Sequence, residues 1–288
     1  PRQIMLQWNS GRSWDHRAYW GGDHIPWGKA GTSSRRRQGP LPETGKWVRL
    51  EVKAGDVGLT TGMTITGWAY TQFDGTVVYE IPRLTFAAGV DPMNVTFETG
   101  YADDAIRNFA TFDRLQVEGA IPEGIKYQID MATPLAITYN FVVPAIYDDF
   151  INIYLDHLSA EFDRIQSALP HERISYQWDV CQEVLMWEGY YEQVPGWKEQ
   201  IFSVLGRIGA MVPEDIDLGY HLCYGSPKDE HMVLPDDMTV LVDMANGIVA
   251  AVPRKVQYIH MPVPKDRNDD AYFAPLTGLD MGETQLYL

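Results

Sequence analysis

An α/β chain is what this sequence predicts: an incomplete (β/α)8 barrel over residues 81–288, behind an all-β, sandwich-like segment over residues 1–80. Three observations carry that expectation. Charge and aromatic density change together near residue 80. Residues 1–80 hold 10 Lys+Arg against 7 Asp+Glu and six of the nine tryptophans, whereas the remaining 208 hold 13 against 32. Beyond that point, stretches with period-two alternation take turns with stretches of helical period, as parallel strands joined by helical crossovers require. Finally, Asp130, Asp179, His221 and His260 fall near the ends of successive predicted strands, 49, 42 and 39 residues apart. Polar residues at the carboxyl ends of strands are where barrels of this kind assemble their sites. A doubly wound sheet is the runner-up, but no Gly-rich phosphate loop follows any strand.

The bulk numbers bound the chemistry. At 288 residues with 45% apolar and 22% charged residues, the chain is long enough for one large domain or two ordinary ones. A net charge of −16 argues against nucleic acid or an anionic membrane surface as a partner. Two cysteines, Cys181 and Cys223, make no disulfide framework and point to a reducing, cytoplasmic compartment. No apolar run approaches the roughly 20 residues of a membrane span. With no initiator Met and no signal-peptide pattern, the chain reads as a fragment or processed product.

In the first segment, residues 4–8, 47–52 and 63–70 read as strands. Asp74-Gly75 begins a tight turn into a further strand over 76–79. Residues 14–37 lack a period and read as irregular, with Trp14, Trp20 and Trp27 either filling a small core or stacking on sugar rings. In the second segment, 103–118 reads as a helix capped by Gly119, and 127–130 as a strand. Residues 146–169 form the strongest helix, with Glu161 among the residues left outside its apolar stripe and Pro170 as its stop. A strand over 174–179, a helix over 197–210, a strand over 216–224, a strand–helix stretch over 239–251, and strands over 255–260 and from 284 complete the reading.

The chemistry centres on Gly219-Tyr220-His221-Leu222-Cys223-Tyr224-Gly225. On a strand, His221 and Cys223 point to one face, and imidazole with thiolate makes a half-site for Zn²⁺. The same pattern also fits a buried cysteine beside a hydrogen-bonded histidine. Asp179 and His260, at neighbouring strand ends, are the candidate catalytic residues. Gln177, Asp179 and Arg267 are the candidate substrate-binding residues. Cys181 reads as packing.

The segments 176–180, 218–225, 258–264 and 266–276 come in that order and carry a resemblance. Together they resemble an uncharacterised branch of the family that includes the catalytic domain of cobalamin-independent methionine synthase, in the superfamily of uroporphyrinogen decarboxylase. The resemblance spans about 82–288 and implies a TIM barrel, a catalytic zinc and a small thiol or amino-acid-like substrate. It implies His221 and Cys223 as ligands and places the family's glutamate near Asp243. The family's late cysteine has no counterpart before Leu288, about where the final barrel strand would begin, so the zinc site in this chain is incomplete. Asp179 corresponds to the aspartate that holds the amino group of the thiol substrate. Residues 3–79 resemble concanavalin-like β-sandwich modules and occupy the place of the barrel's first βα units. The expectation is a zinc-dependent, methyltransferase-like protein, inactive if the fragment lacks too much of the barrel. The alternatives are a metal-free decarboxylase or lyase using Asp179, His260 and Arg267, and a carbohydrate-binding fragment using Trp14, Trp20 and Trp27.

Overall fold

The computed structural model of the protein describes residues 1–288 except 12, 80–82, 87–88, 97–98 and 227–230. The chain divides into two compact units, Pro1–Glu80 and Ile81–Leu288. Ile81 and Pro82, where the texture of the sequence changes, lie outside the described residues.

In the first unit, Gln3–Ser10 (β1) and Ser13–Gly21 (β2) pair antiparallel. Arg36–Gly39 (β3) runs parallel to β2, and Gly67–Phe73 (β4) lies antiparallel to β1. The product is one four-stranded mixed sheet in the order β3-β2-β1-β4, not the expected sandwich. Among the described residues a second sheet does not form, because residues 47–52 and 76–79 are irregular and the expected strand over 63–70 begins only at Gly67. Val57 and Leu59 pack on Ala18 and Trp20 instead, with Leu6, Trp8, Leu50 and Val52 around them. Irregular chain thus takes the place of the missing layer.

The stretch expected to be irregular contains β2. Ala18 and Trp20 feed one apolar cluster and Tyr19 another, with Met5 and Ile25. A strand apolar on both faces loses its period-two signal. Trp20 is therefore core, 8% exposed, and offers no sugar platform, whereas Trp14 and Trp27 are exposed.

The second unit alternates helices and parallel strands. Tyr101–Val117 (α1) precedes Tyr127–Ala132 (β5). Pro134–Phe141 (α2) and Tyr147–Ala168 (α3) lead to Ile174–Val180 (β6). Gln182–Trp187 (α4) and Trp197–Ala210 (α5) lead to Asp217–Leu222 (β7). Thr239–Ala251 (α6) leads to Tyr258–His260 (β8), and Asp270–Phe273 (α7) to Gln285–Tyr287 (β9). All five strands are parallel and lie in chain order, β5-β6-β7-β8-β9. The order never reverses, so the sheet has no switch point of the doubly wound kind. Among the described residues it is an open sheet, not a closed eight-stranded barrel.

Alternation sorts the strand side chains. Ile129, Met131, Tyr176, Trp178, Val180, Leu218, Tyr220, Leu222 and Ile259 are buried in one core with the apolar faces of the helices. Phe162 of α3 stacks on Tyr176 and Trp178 at 4.6 and 5.7 Å, and the Tyr220 hydroxyl donates to the Leu205 carbonyl of α5 at 3.0 Å. Each large side chain buried in this way contributes on the order of 1.5–3 kcal/mol. The opposite face carries Gln128, Asp130, Gln177, Asp179, His221, Tyr258 and His260, partly or fully exposed.

Two features fix the helix ends. Gly119, at φ 76, lets the chain turn back after α1, and the Gly119 and Ala120 amides return to the Gln116 and Leu115 carbonyls. At the other end, Gly100 supplies no side-chain cap, and Glu161 of α3 accepts from the Ala102 amide at 2.7 Å and the Gly100 amide at 3.3 Å. Glu161 is buried, contrary to its expected place on the solvent side, because it caps a neighbouring helix.

Candidate metal centre

Parallel register builds the site. Ala132 stands opposite Asp179, Asp179 opposite His221, and His221 opposite His260. Three of the four expected polar strand ends therefore share one row. Asp130 does not; it pairs with Gln177 one step earlier.

That earlier row forms a floor. A Cβ on Gly219 would come within 2.0 Å of the Tyr258 ring, so glycine is what lets this ring cross β7. The Tyr258 hydroxyl shares its one proton between Gln128 Oε1 at 3.0 Å and Gln177 Oε1 at 3.2 Å, and Gln177 Nε2 donates to Asp130 at 3.1 Å. Gln177 is thus placed beneath Asp179 as part of a hydrogen-bonded chain.

Above it, ligand atoms of Asp179, His221 and Cys223 lie within 4.8 Å of one another. His221 and Cys223 share a face by the two-residue step. The Cys223 amide donates to the Val180 carbonyl at 3.3 Å, which closes the last β6–β7 pair, Val180 with Leu222. Cys223 Sγ accepts from the Gly225 amide at 3.2 Å. His221 and His260 meet through their Nδ1 atoms at 2.9 Å, with rings stacked 4.7 Å apart. Asp179 Oδ1 is buried with no hydrogen-bond partner. A buried, unpartnered carboxylate oxygen is costly and calls for a proton or a cation.

The electrostatics are consistent with both. Burial, aided by the neighbouring Cys223, pushes the Asp179 carboxyl up to about 6. The Cys223 thiol is lowered, first by a hydrogen bond from Cys181 and then by one from His221. Its partner Cys181 is raised by the same contact and by burial. His221 is raised by its bond to Cys223, whereas burial and the adjacent His221 lower His260. Oxygen, nitrogen and sulfur donors in one group are a set that Zn²⁺ accepts, with a position left open for a further ligand.

Other expected site residues lie elsewhere. Asp243 is on the exposed side of α6, whose Leu241, Val242, Met244, Ala245 and Ile248 face the core. The stretch 239–251 is all helix rather than strand then helix, so Asp243 sits at no strand end, and Asp179 is the carboxylate of the donor group. Arg267 is occupied: it donates to Asp269 at 2.9 Å and the Asp236 carbonyl at 3.0 Å, and lies over the Tyr272 ring at 4.5 Å. It ties two loops together and is not placed among the donors.

Two residues near the centre, Tyr258 and Glu183, escaped the sequence reading. Tyr258 organises the floor. Cys181, read as packing, is buried. Glu183, in the first turn of α4, is fully buried, bonded to the Thr133 hydroxyl through Oε1 and unpartnered at Oε2. Burial raises it to about 7, with Asp179 adding to the shift. A lone acid in the apolar run Gln182–Trp187 was the signal for it. Among the described residues, no helix is long and apolar enough to cross a membrane. No family model matches this chain, and no curated protein matches it.

Proposed function

We propose that the protein is a zinc-dependent, methyltransferase-like enzyme that activates a small thiol or amino-acid-like substrate. Its strands β5–β9 are read as an arc of a (β/α)8 barrel, a reading supported by five parallel strands in chain order. One observation carries the metal part: Asp179, His221 and Cys223 converge with a buried carboxylate oxygen left without a partner.

In this reading those three side chains hold the ion. Zinc bound there lowers the pKa of a substrate thiol, which makes a thiolate available at neutral pH. His260 acts from outside the ligand set. Kept neutral by burial, it accepts a hydrogen bond from His221 and fixes which nitrogen of that ring faces the ion. Gln177, bonded to Asp130 and Tyr258, lines the approach and offers polar atoms to the amino-acid end of the substrate.

Metal content tests this. Purified protein is expected to carry about one zinc per chain, and His221→Ala and Cys223→Ser each to lose it. Stoichiometric zinc that survives both substitutions overturns the ligand assignment. A metal-free lyase reading draws on the short His221–His260 contact and the raised Asp179. Full activity after chelation would favour it.

A further inference from the structure

The polar face of the sheet carries fixed charge of one sign. Alternation puts Asp130, Asp179 and Asp217 on it, and among the described residues none of the five strands contains a Lys or Arg. Two cations of the flanking loops are already engaged: Lys126 pairs with Asp217 at 2.7 Å, at the amino ends of the strands, and Arg267 with Asp269 at 2.9 Å. Asp130 has no such partner among the described residues; its Oδ1 accepts from Gln177 Nε2 at 3.1 Å. It stands one rung below the donor row, and its charge is felt at both Asp179 and His221. In the donor row itself β5 contributes Ala132, opposite Asp179. A methyl is all that β5 places between the Asp130 carboxylate and the donors.

We propose that the thiol this centre activates is an aminothiol, a short thiol that bears an ammonium group and no carboxylate, with the ammonium held by Asp130. The proposal rests on the zinc reading above and narrows its substrate. Asp179 is one of the three donors, which leaves Asp130 as the unpaired carboxylate of the face. Charge then selects the class. A divalent ion with the Asp179 carboxylate, the Cys223 thiolate and a neutral His221 sums to zero, and a substrate thiolate in the open position adds one negative charge. Asp130 adds another beside it. An ammonium on the substrate offsets one of the two and donates charge-assisted hydrogen bonds to the Asp130 carboxylate. A substrate carboxylate would instead add a third negative charge, with no strand Lys or Arg to meet it. The wider field has the same sign: residues 81–288 hold 13 Lys+Arg against 32 Asp+Glu, which favours approach of a cation.

The test uses the full chain, reduced and loaded with Co²⁺, and three thiols of like size and different charge: cysteamine, 2-mercaptoethanol and 3-mercaptopropionate. Each is titrated against the visible Co²⁺ spectrum. Cysteamine is expected to bind roughly tenfold or more tighter than either of the others, and that preference to shrink as salt is raised. Asp130→Asn keeps the side-chain shape and an acceptor for Gln177 while removing the charge. It is expected to take up Co²⁺ as before and to bring cysteamine to within about twofold of 2-mercaptoethanol. Binding of 3-mercaptopropionate as tight as that of cysteamine overturns the proposal and leaves the three-donor centre standing. So does a preference for cysteamine that survives in Asp130→Asn or ignores salt, since an amine bound to the ion itself would give that result. Failure of the unaltered protein to take up Co²⁺ overturns the zinc reading, and uptake with no response to any of the three thiols overturns its thiol-activating part. Either takes this proposal with it.

Discussion

At the scale of single residues, the buried acids decide how the protein responds to pH. Glu183 has its folded-state pKa raised to about 7 from an ordinary 4.5 because burial disfavours its charge. A raised acid contributes stability that is fully present below its unfolded pKa and lost as pH rises through the folded one. Its window therefore runs from about 4.5 to about 7. Glu183→Gln is expected to gain about 1–3 kcal/mol on the unaltered protein at pH 8 and nothing at pH 4, read from urea denaturation at both pH values. Equal gains at the two would contradict the linkage. The donors respond in the opposite sense toward metal. Asp179, with its pKa near 6, and His221, raised by Cys223, must both lose protons to bind an ion. Apparent Co²⁺ affinity should fall as pH drops through about 6, by roughly tenfold per unit for each proton displaced. A flat profile from pH 8 to pH 5 would mean that these groups are not the ligands.

Elements carry a different kind of information. Glu161 caps α1 from α3, so Glu161→Ala is expected to cost about 1–2 kcal/mol and to loosen amide protection in the first turn of α1, seen by hydrogen exchange. A residue on the solvent side of α3 would leave that protection unchanged. Gly219→Ala should cost about 1–3 kcal/mol, since the new methyl meets the Tyr258 ring, and should cost more than Tyr258→Phe. Denaturation of the three proteins checks this order. Elements with one clean period were legible in the sequence: α1, α3, α5 and the paired strands β6 and β7 lie where pattern and caps put them. Elements whose signal depends on partners were not. β2 is apolar on both faces, residues 47–52 alternate without finding a strand to pair with, and α6 begins with an apolar run that mimics a buried strand. The candidate site divides the same way. The His221–Cys223 step was local and readable, but the place of Glu183 depends on the burial of α4, which no spacing reveals.

For the whole molecule, two units each hold their own apolar clusters. Calorimetry is expected to resolve more than one unfolding transition, with added zinc raising only the one that belongs to Ile81–Leu288. A single transition shifted as a whole would show that the units unfold together. Their charge contrast is also marked: the balance is +3 over residues 1–80 and −19 over the rest. Salt should therefore affect the two transitions unequally, through self-repulsion in the acidic unit.

The Asp179–His221 pairing sets one further condition on the protein's history. Because side chains alternate, a one-residue slip of β6 against the core would send Asp179 to the helix side and bring a tryptophan into its place. Insertions and deletions inside Ile174–Val180 are thus barred even where every donor is kept. Loops on either side remain free to lengthen. The chemistry is written in the phase of one ladder, and a lineage can change nearly everything else before it changes that.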